Sequence, residues 1–476
     1  MKRRILKIFA AIVGLYLLTF GIHVGLAAEH AKNYLASLSG EYDRATLDKQ
    51  SANLATDVDR IFTDLNLPVV KQIAGAFGLD FTPIRDEVTA TIKASSWLAG
   101  ADAPKRYMIA FQNSAEARGT GGILGAFAIV EFNKGRFSVI RTGSNAQLKS
   151  LEEIPIRMPK EYTRLYGSDP AIWQNSNLSP HFPYGAKIWM ELWRQQYGDR
   201  LDGIIAVDPT LLSYILNSTG PVKVGKSSSY VNSRNLVNET LRDAYKRYEF
   251  NNNARKQYLV EIMNSTFSQL LAQNFNKVEF GKAMLKGILE NRLLIYTNDS
   301  KAENFLQRTK LGGYMQVEPN NEFRVVIQNI DASKLDFYLD RKVLIKSLSC
   351  KNEGEIEVKV YLKHNIQSGL GLPSYVLTRA DKTKPIAMVS GQHRFLVFVY
   401  GPTYSKLIHA KRSSSFDSPG VIGTEREREI LVVDVDLAPG QSENITATFT
   451  NGKGPITYIS QPLVRKETLD VQDNCA

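Results

Sequence analysis

An α/β protein followed by an all-β domain is the fold class this sequence predicts, and three patterns along the chain predict it. Between residues 104 and 333, compact apolar runs alternate with amphipathic ones at helical spacing, the mark of strands and helices packed in layers. From residue 334 to 476 the runs become strand-like and are separated by Gly, Pro, Ser and Asn, as in a β-sandwich. Before residue 104 the apolar positions recur three and four apart, which is a helical period. The expected organisation is therefore 1–28 as a cytoplasmic stub with a transmembrane signal anchor, 29–103 as a helical stalk, 104–333 as the α/β domain and 334–476 as the β-sandwich.

The first of these units rests on charge and length. "MKRRILK" carries Lys2, Arg3, Arg4 and Lys7, and the run from Ile8 to Ala28 is 21 residues without Asp, Glu, Lys or Arg. About 20 apolar residues cross a bilayer as a helix, and the cationic flank stays in the cytoplasm. The bulk of the chain is then extracytoplasmic. The rival reading is a cleavable signal peptide, with Gly25-Leu26-Ala27 as a small-x-small site. The run is longer than a usual signal core, which favours the anchor.

In the stalk, "AEHAKNYLASL" and "KQSANLATDVDRIFTDL" are amphipathic, Pro68 interrupts them, and Pro83 precedes "IRDEVTATIKASSWL". In the α/β unit, "RYMIAFQ" is a strand, and "AFAIVEF-NKG-RFSVIRT" reads as a β-hairpin. "YGAKIWMELWRQQYG" is a helix. "LDGIIAVDPTLLSYILNSTGPVKV" reads strand, turn, helix, strand, with Asp208 as helix cap and Pro209 in the first turn. "SRNLVNETLRDAYKRYEF" and "RKQYLVEIMNSTFSQLLAQNF" are amphipathic helices. The C-terminal strands include "EIEVKVYLKHNI", "HRFLVFVYGP", "REILVVDVDLAPG" and "NITATFT".

Net charge is +11. That favours anionic surroundings such as phosphates, acidic polymers or lipid head groups. Zinc-finger spacing and RNA-recognition motifs are lacking, so no nucleic-acid partner is expected. The six histidines are scattered and no zinc pattern is present. Two cysteines, Cys350 and Cys475, either form one bridge or remain as thiols. G-x-S-x-G and the P-loop pattern are absent as well.

The segment that carries candidate chemistry is "QNSAEARGTGGILGAF", residues 112–127. Gly119, Gly121 and Gly122 can expose backbone N–H groups to an anion, and Arg118 beside them can add bidentate contacts. A two-strand excursion brings the chain back near Arg141, so Arg118 and Arg141 are expected at one end of the sheet, as a pyrophosphate clamp. The structural alternative, an ion pair between Glu116 and Arg118 that fixes a turn, is favoured by spacing alone. "NSNLSPHFP" offers Asn175, Asn177 and Ser179 as sugar-binding groups, or a simple Asx turn. His181 has no carboxylate near it in sequence and is a poor general base.

"YMIAFQNSAEARGTGGILGAF", "WQNSNLSPHFPYGA", "LDGIIAVDPTLLSYILNSTGPV" and "DASKLDFYLDRKV" resemble, in order and spacing, a bacterial family called domain of unknown function 4012. The same block is distantly similar to the LytR-CpsA-Psr family, which binds polyprenyl-pyrophosphate-linked glycans and transfers the glycan to a wall acceptor. That resemblance implies a LytR-CpsA-Psr-like α/β sandwich core and an envelope role. It places Arg118 and Arg141 at the positions of the family's two arginine motifs. It also implies a divalent metal such as Mg²⁺ held by aspartates that follow those arginines. Here Thr120 replaces the first, and Gly143 and Ser144 stand near the place of the second, so Glu116 is the substitute carboxylate and metal ligand. Two functions stay open: a glycopolymer phosphotransferase, and a non-catalytic protein that binds wall polymer or a protein partner. For the transferase, "GILGAFAIV" and "LLSYIL" are apolar enough to line a tunnel for a polyprenyl tail; they are also ordinary core segments, and core is the favoured reading for most of their residues.

Overall fold

The computed structural model describes residues 19, 21–34, 43–66, 82–134, 136–225, 230–272, 275–349, 354–367, 371–378, 389–414 and 419–473. Most of the apolar run 8–28, and both Cys350 and Cys475, lie outside the described residues. Among the described residues no helix is long and apolar enough to cross a membrane.

The stalk is three helices side by side: α1 (21–34), which begins inside the run 8–28 expected to cross the membrane, α2 (Arg44–Leu65) and α3 (Thr82–Leu98). Polar pairs tie them together. His23 meets Asp64 at 2.6 Å, His30 meets Asp57, and Arg85 meets Asp59 at 3.0 Å. Glu87 of α3 accepts a bond from the Lys310 N–H at 2.7 Å, so the stalk is also fastened to the next unit.

The α/β unit is built on a five-stranded sheet. Its strands are β1 (Lys105–Arg118), β2 (Gly121–Asn133), β3 (Arg136–Ser144), β4 (Gly203–Val207) and β5 (Leu293–Thr297), in the order β3-β2-β1-β4-β5. β1 runs parallel to β4 and antiparallel to β2, and the other neighbours are antiparallel. The expected hairpin is present as β2 and β3. Apolar residues of β1, β2 and β4 point to both faces, so both faces must be covered. One face packs against α4 (Lys160–Tyr166), through Tyr162 and Tyr166, and α5 (Phe182–Tyr197), through Phe182, Ile188, Trp189 and Trp193. Pro183 lies in that helix's first turn, and Gly198 ends it in the left-handed region, φ 75°.

The other face packs against α6 (Pro209–Thr219), a helical stretch α7 (236–247), α8 (Asn252–Leu271) and α9 (Lys277–Leu289). As expected, Asp208 caps α6, accepting from the Leu211 N–H at 2.8 Å, and it also pairs with buried Arg292 at 2.5 Å. A short helix α10 (Ser300–Leu306) follows β5.

The C-terminal part is a sandwich of two five-stranded sheets closed over Phe323, Val325, Val343, Val358, Val397, Val433 and Phe449. Its first strand is Glu322–Asn329, a little before residue 334. Arg426 and Glu427, at φ 49° and 60°, form the tip of a hairpin between Val421–Glu425 and Arg428–Leu437. Positive φ at both central residues is what a tight hairpin turn demands. The tip docks on the α/β unit: the Arg426 N–H donates to Glu161 at 3.0 Å and its Nε to the Met315 carbonyl at 2.6 Å.

Candidate functional site

The glycine loop is a junction between units. Arg118 is 6% exposed. Its guanidinium donates to Asn175 Oδ1 at 3.0 Å, to the Ala117 carbonyl at 2.8 Å and to the Asn329 carbonyl at 3.0 Å. Burial works against its charge, and Asp336, Asp169 and Asp331 offset that. The loop backbone is held from the sandwich side as well. Gln461 Nε2 donates to the Arg118 carbonyl at 2.7 Å, and the Ala117 N–H donates to Asp336 at 2.9 Å. A Cβ on Gly119 would stand 2.2 Å from the Leu178 carbonyl oxygen, and one on Gly122 2.1 Å from that of Asn113. These glycines are small because backbones meet there. Gly121, at φ 133°, faces Pro462.

Arg141 does not join Arg118. It pairs with Ile129, whereas Arg118 pairs with Gly121. The eight residue steps along β2 from Gly121 to Ile129 span roughly 26 Å at about 3.3 Å per residue. The hairpin's strands are too long for an excursion that returns to its origin. Arg141 is exposed and lies over the Tyr197 ring, 4.6 Å from its centroid. Glu116 is buried and its carboxylate is in contact with the Lys334 ammonium, so it pairs with Lys334 and not with Arg118.

Asn175, Asn177 and Ser179 are also committed internally. Asn175 holds Arg118. Asn177, 0% exposed, has Nδ2 within 2.7–2.9 Å of Thr120 Oγ1, Gln112 Oε1 and the Gly122 carbonyl. Ser179 Oγ accepts from the His181 N–H at 3.0 Å. His181 accepts from the Met315 N–H at 3.0 Å, and burial drives its pKa well below the usual histidine value. Gly119 and Thr120 do border a cavity of about 180 Å³ with Arg308, Lys310 and Arg324, but the buried Arg324 there is paired with Glu322 at 2.8 Å.

A different cavity, of about 280 Å³, brings unpaired charge and apolar surface together. It lies between the β1–β2 end of the sheet and helices α6, α7 and α8. Its apolar wall includes Phe111, Ile123, Leu212, Leu259, Ile262 and Met263. Four charged side chains line it: Glu116, Arg255, Lys256 and Lys334. A second apolar cavity, of about 590 Å³ and walled by residues of α6, α8 and α9, shares Phe111 and Leu212 with it.

The first turns of α8 carry the cations. Asn251 caps that helix, accepting from the Ala254 N–H at 2.9 Å. Arg255 and Lys256 follow at once, where the helix dipole disfavours positive side chains and favours an anion. Arg255 is 3% exposed. It donates to Asn252 Oδ1 at 2.5 Å, and its guanidinium carbon lies 4.2 Å and 4.3 Å from the ring centroids of Tyr245 and Tyr375. Those rings stack on each other at 5.7 Å and 23°. Tyr375 belongs to a short helix, α11 (Ser374–Leu377), an excursion of the C-terminal sandwich. Cation–π contact holds the guanidinium without neutralising it.

Among the described residues neither Arg255 nor Lys256 has a carboxylate within ion-pair distance. Burial and the Arg255 charge both lower the Lys256 pKa. Lys334, 2% exposed, is the third cation, 5.5 Å from both tyrosine rings. Burial pulls its pKa below the ordinary lysine value and Asp336 opposes that.

The same residues test the expected Mg²⁺. Magnesium is held by carboxylate and phosphate oxygens. Glu116 is, among the described residues, the one carboxylate in the cavity wall, and it is engaged by Lys334. Among the described residues no group of three or more His, Cys, Asp or Glu is placed to hold a metal. Three cations surround the position, and the donor set does not fit a divalent cation.

Sequence reasoning took its candidates from the glycine loop and the segment 175–179, and missed Arg255, Lys256 and Lys334. The signal was in "NNNARK", an asparagine cap followed by two cations in a helix's first turns.

The class defined by this architecture is an α/β unit with a β-sandwich attached, enclosing an apolar cavity with a cationic end. Residues 102–245 match the family described as protein of unknown function (DUF4012), which bears out the resemblance over that stretch. Parts of the chain are similar to solved structures. Protein gbs0355 from Streptococcus agalactiae is 14% identical with a TM-score of 0.28, over 46% of this chain and 79% of that one. TagV from B. subtilis is 13% identical with a TM-score of 0.25, over 44% and 80%. Lin1025 from Listeria innocua is 10% identical with a TM-score of 0.24, over 48% and 85%. None of the curated proteins matches the chain.

Proposed function

We propose that this chain is a membrane-anchored, extracytoplasmic envelope protein that binds a polyprenyl-phosphate- or pyrophosphate-linked glycan, with the lipid in the apolar cavities and the phosphate at their cationic end. The observation that carries the reading is Arg255, buried at the head of an apolar cavity with no carboxylate partner among the described residues. A buried charge needs a counter-charge, and an anionic head on an apolar tail supplies one in the right place. The cavity's formal charge supports a dianion, since Arg255, Lys256 and Lys334 face one acid, Glu116. The resemblance to glycan-carrier-binding envelope proteins supports the carrier, and the cationic flank Lys2–Lys7 with the apolar residues from Ile8 up to the start of α1 supports the anchor.

The function proposed is binding rather than turnover. Transfer to an acceptor hydroxyl needs a base, and among the described residues the only carboxylate at the cavity is occupied by Lys334.

The experiment is native mass spectrometry of the full chain, extracted gently from bacterial membranes, as wild type and as Arg255→Ala. A co-purifying polyprenyl phosphate or pyrophosphate that is lost in the variant is expected. Wild-type protein free of lipid that still binds purified cell-wall polymer would overturn the reading in favour of wall or partner binding through the sandwich.

A further inference from the structure

We infer that this site neutralises its phosphate ligand with side chains alone and binds it without a divalent cation. The inference rests on the lipid-phosphate reading above and adds to it the means of charge compensation.

The argument begins with charge. A phosphomonoester or pyrophosphate diester brings about two negative charges near neutral pH. In a metal-dependent site acidic side chains hold the dication and the dication meets the phosphate. Here the balance is inverted. Arg255 and Lys256 have no acid within ion-pair distance among the described residues, and Lys334 is held by Glu116. Two uncompensated positive charges match a dianion directly. A magnesium ion added to the same cavity would face Arg255, Lys256 and Lys334 in surroundings of low dielectric, where like charges repel strongly.

Geometry points the same way. Arg255 stands in the first turns of α8, so the positive end of the helix dipole adds to the side-chain charge. Tyr245 and Tyr375 clasp the guanidinium from the α/β unit and from the sandwich. Asn113 Nδ2 donates to the Tyr245 hydroxyl at 2.9 Å and fixes that ring. An arginine oriented in this way presents its planar donor set to a phosphate. Tyr375 is thus a positioning residue, and through it the C-terminal domain completes a site that the α/β unit begins.

The test is equilibrium binding of farnesyl pyrophosphate to the full chain in detergent, once with excess EDTA and once with millimolar Mg²⁺, with farnesol as the uncharged control. Affinities in the two buffers within about threefold of each other are expected, with a loss of about tenfold or more in Arg255→Ala. Tyr375→Leu should weaken the pyrophosphate and leave farnesol binding unchanged. Binding that appears only with Mg²⁺ would overturn this inference and leave the lipid-phosphate reading standing. Absence of pyrophosphate binding in both buffers would overturn both. Lys256→Gln, at a half-buried position, serves as the second variant if Arg255→Ala does not fold. It should weaken pyrophosphate equally in EDTA and Mg²⁺, and a loss confined to the Mg²⁺ buffer would count against the inference.

Discussion

Two buried arginines of this chain have opposite surroundings. Arg118 is 6% exposed and gives hydrogen bonds to Asn175, Ala117 and Asn329, with Asp336, Asp169 and Asp331 in its field. Arg255 is 3% exposed and has one acceptor, Asn252, and two tyrosine faces. The first has its donors met by the chain itself, so its work is structural. The second has a compensated shape and an uncompensated charge, which suits it to an anion from outside. Burial alone does not separate a site from a scaffold; the partners do.

The largest effect expected from this contrast is on the scaffold side. Gly122→Ala places a methyl 2.1 Å from the Asn113 carbonyl oxygen, across the β1–β2 pair. Backbone cannot yield as a side chain does, and a loss of about 3 kcal/mol or more is expected in urea unfolding. An alanine variant as stable as wild type would mean that the loop is roomier than a junction. Arg118→Ala follows, because it strands the Asn329 carbonyl and Asn175 inside the protein, at about 1–3 kcal/mol for each unsatisfied group. Arg255→Ala should stay within about 1 kcal/mol of wild type, since removing an uncompensated charge relieves its desolvation, while the lipid ligand is lost. If Arg118→Ala keeps its stability and loses the ligand, the two arginines have been assigned the wrong way round.

Much of the fold was legible because it follows from periodicity. The hairpin of β2 and β3, the Asp208 cap with Pro209, the paired amphipathic helices and the strand-rich C-terminus all announce themselves locally. The candidate site was not legible, for a physical reason. Lys334, Tyr375 and Arg255 come from three separated segments, and only the docking of the sandwich on the α/β unit makes them neighbours. "EARGTGG" looked functional because glycines and charges also mark ligand loops. Its glycines are required instead by two close backbone approaches, at Leu178 and Asn113. The partner of Glu116 was equally hidden, since Lys334 lies more than two hundred residues away in sequence.

The docking of the two units contains a pH-sensitive group. Glu425, 0% exposed, accepts from the Tyr166 and Tyr400 hydroxyls at 3.1 Å and 2.9 Å, at the seam between α/β unit and sandwich. Burial raises its pKa, while hydrogen bonds from Ser179 and the tyrosines lower it in part, and Glu161 adds to the rise. The folded-state value therefore lies above the unfolded one. Its contribution is fully present below the ordinary glutamate range and is lost as pH rises through the raised value. Glu425→Gln keeps the shape without the titration. Melting temperatures of wild type and variant should agree most closely in acid, and the variant should gain on wild type toward neutral pH. A difference that does not move with pH would remove Glu425 from the account.

The smallest effect sharpens the comparison at its functional end. Asn251 caps α8, and the first turns it organises carry Arg255 and Lys256. Asn251→Ala should cost about 1 kcal/mol of stability, the usual value of such a cap. The loss should be local, with faster amide exchange at Ala254 and Arg255 than elsewhere in the unit. Fraying there moves both cations off the cavity, so pyrophosphate binding should weaken by a small factor while farnesol binding holds. The equivalent loss at the scaffold arginine has no such signature, because Arg118 sits at the end of a strand held on both sides. Should Asn251→Ala lower stability and leave pyrophosphate affinity untouched, the anion is not held at the start of α8.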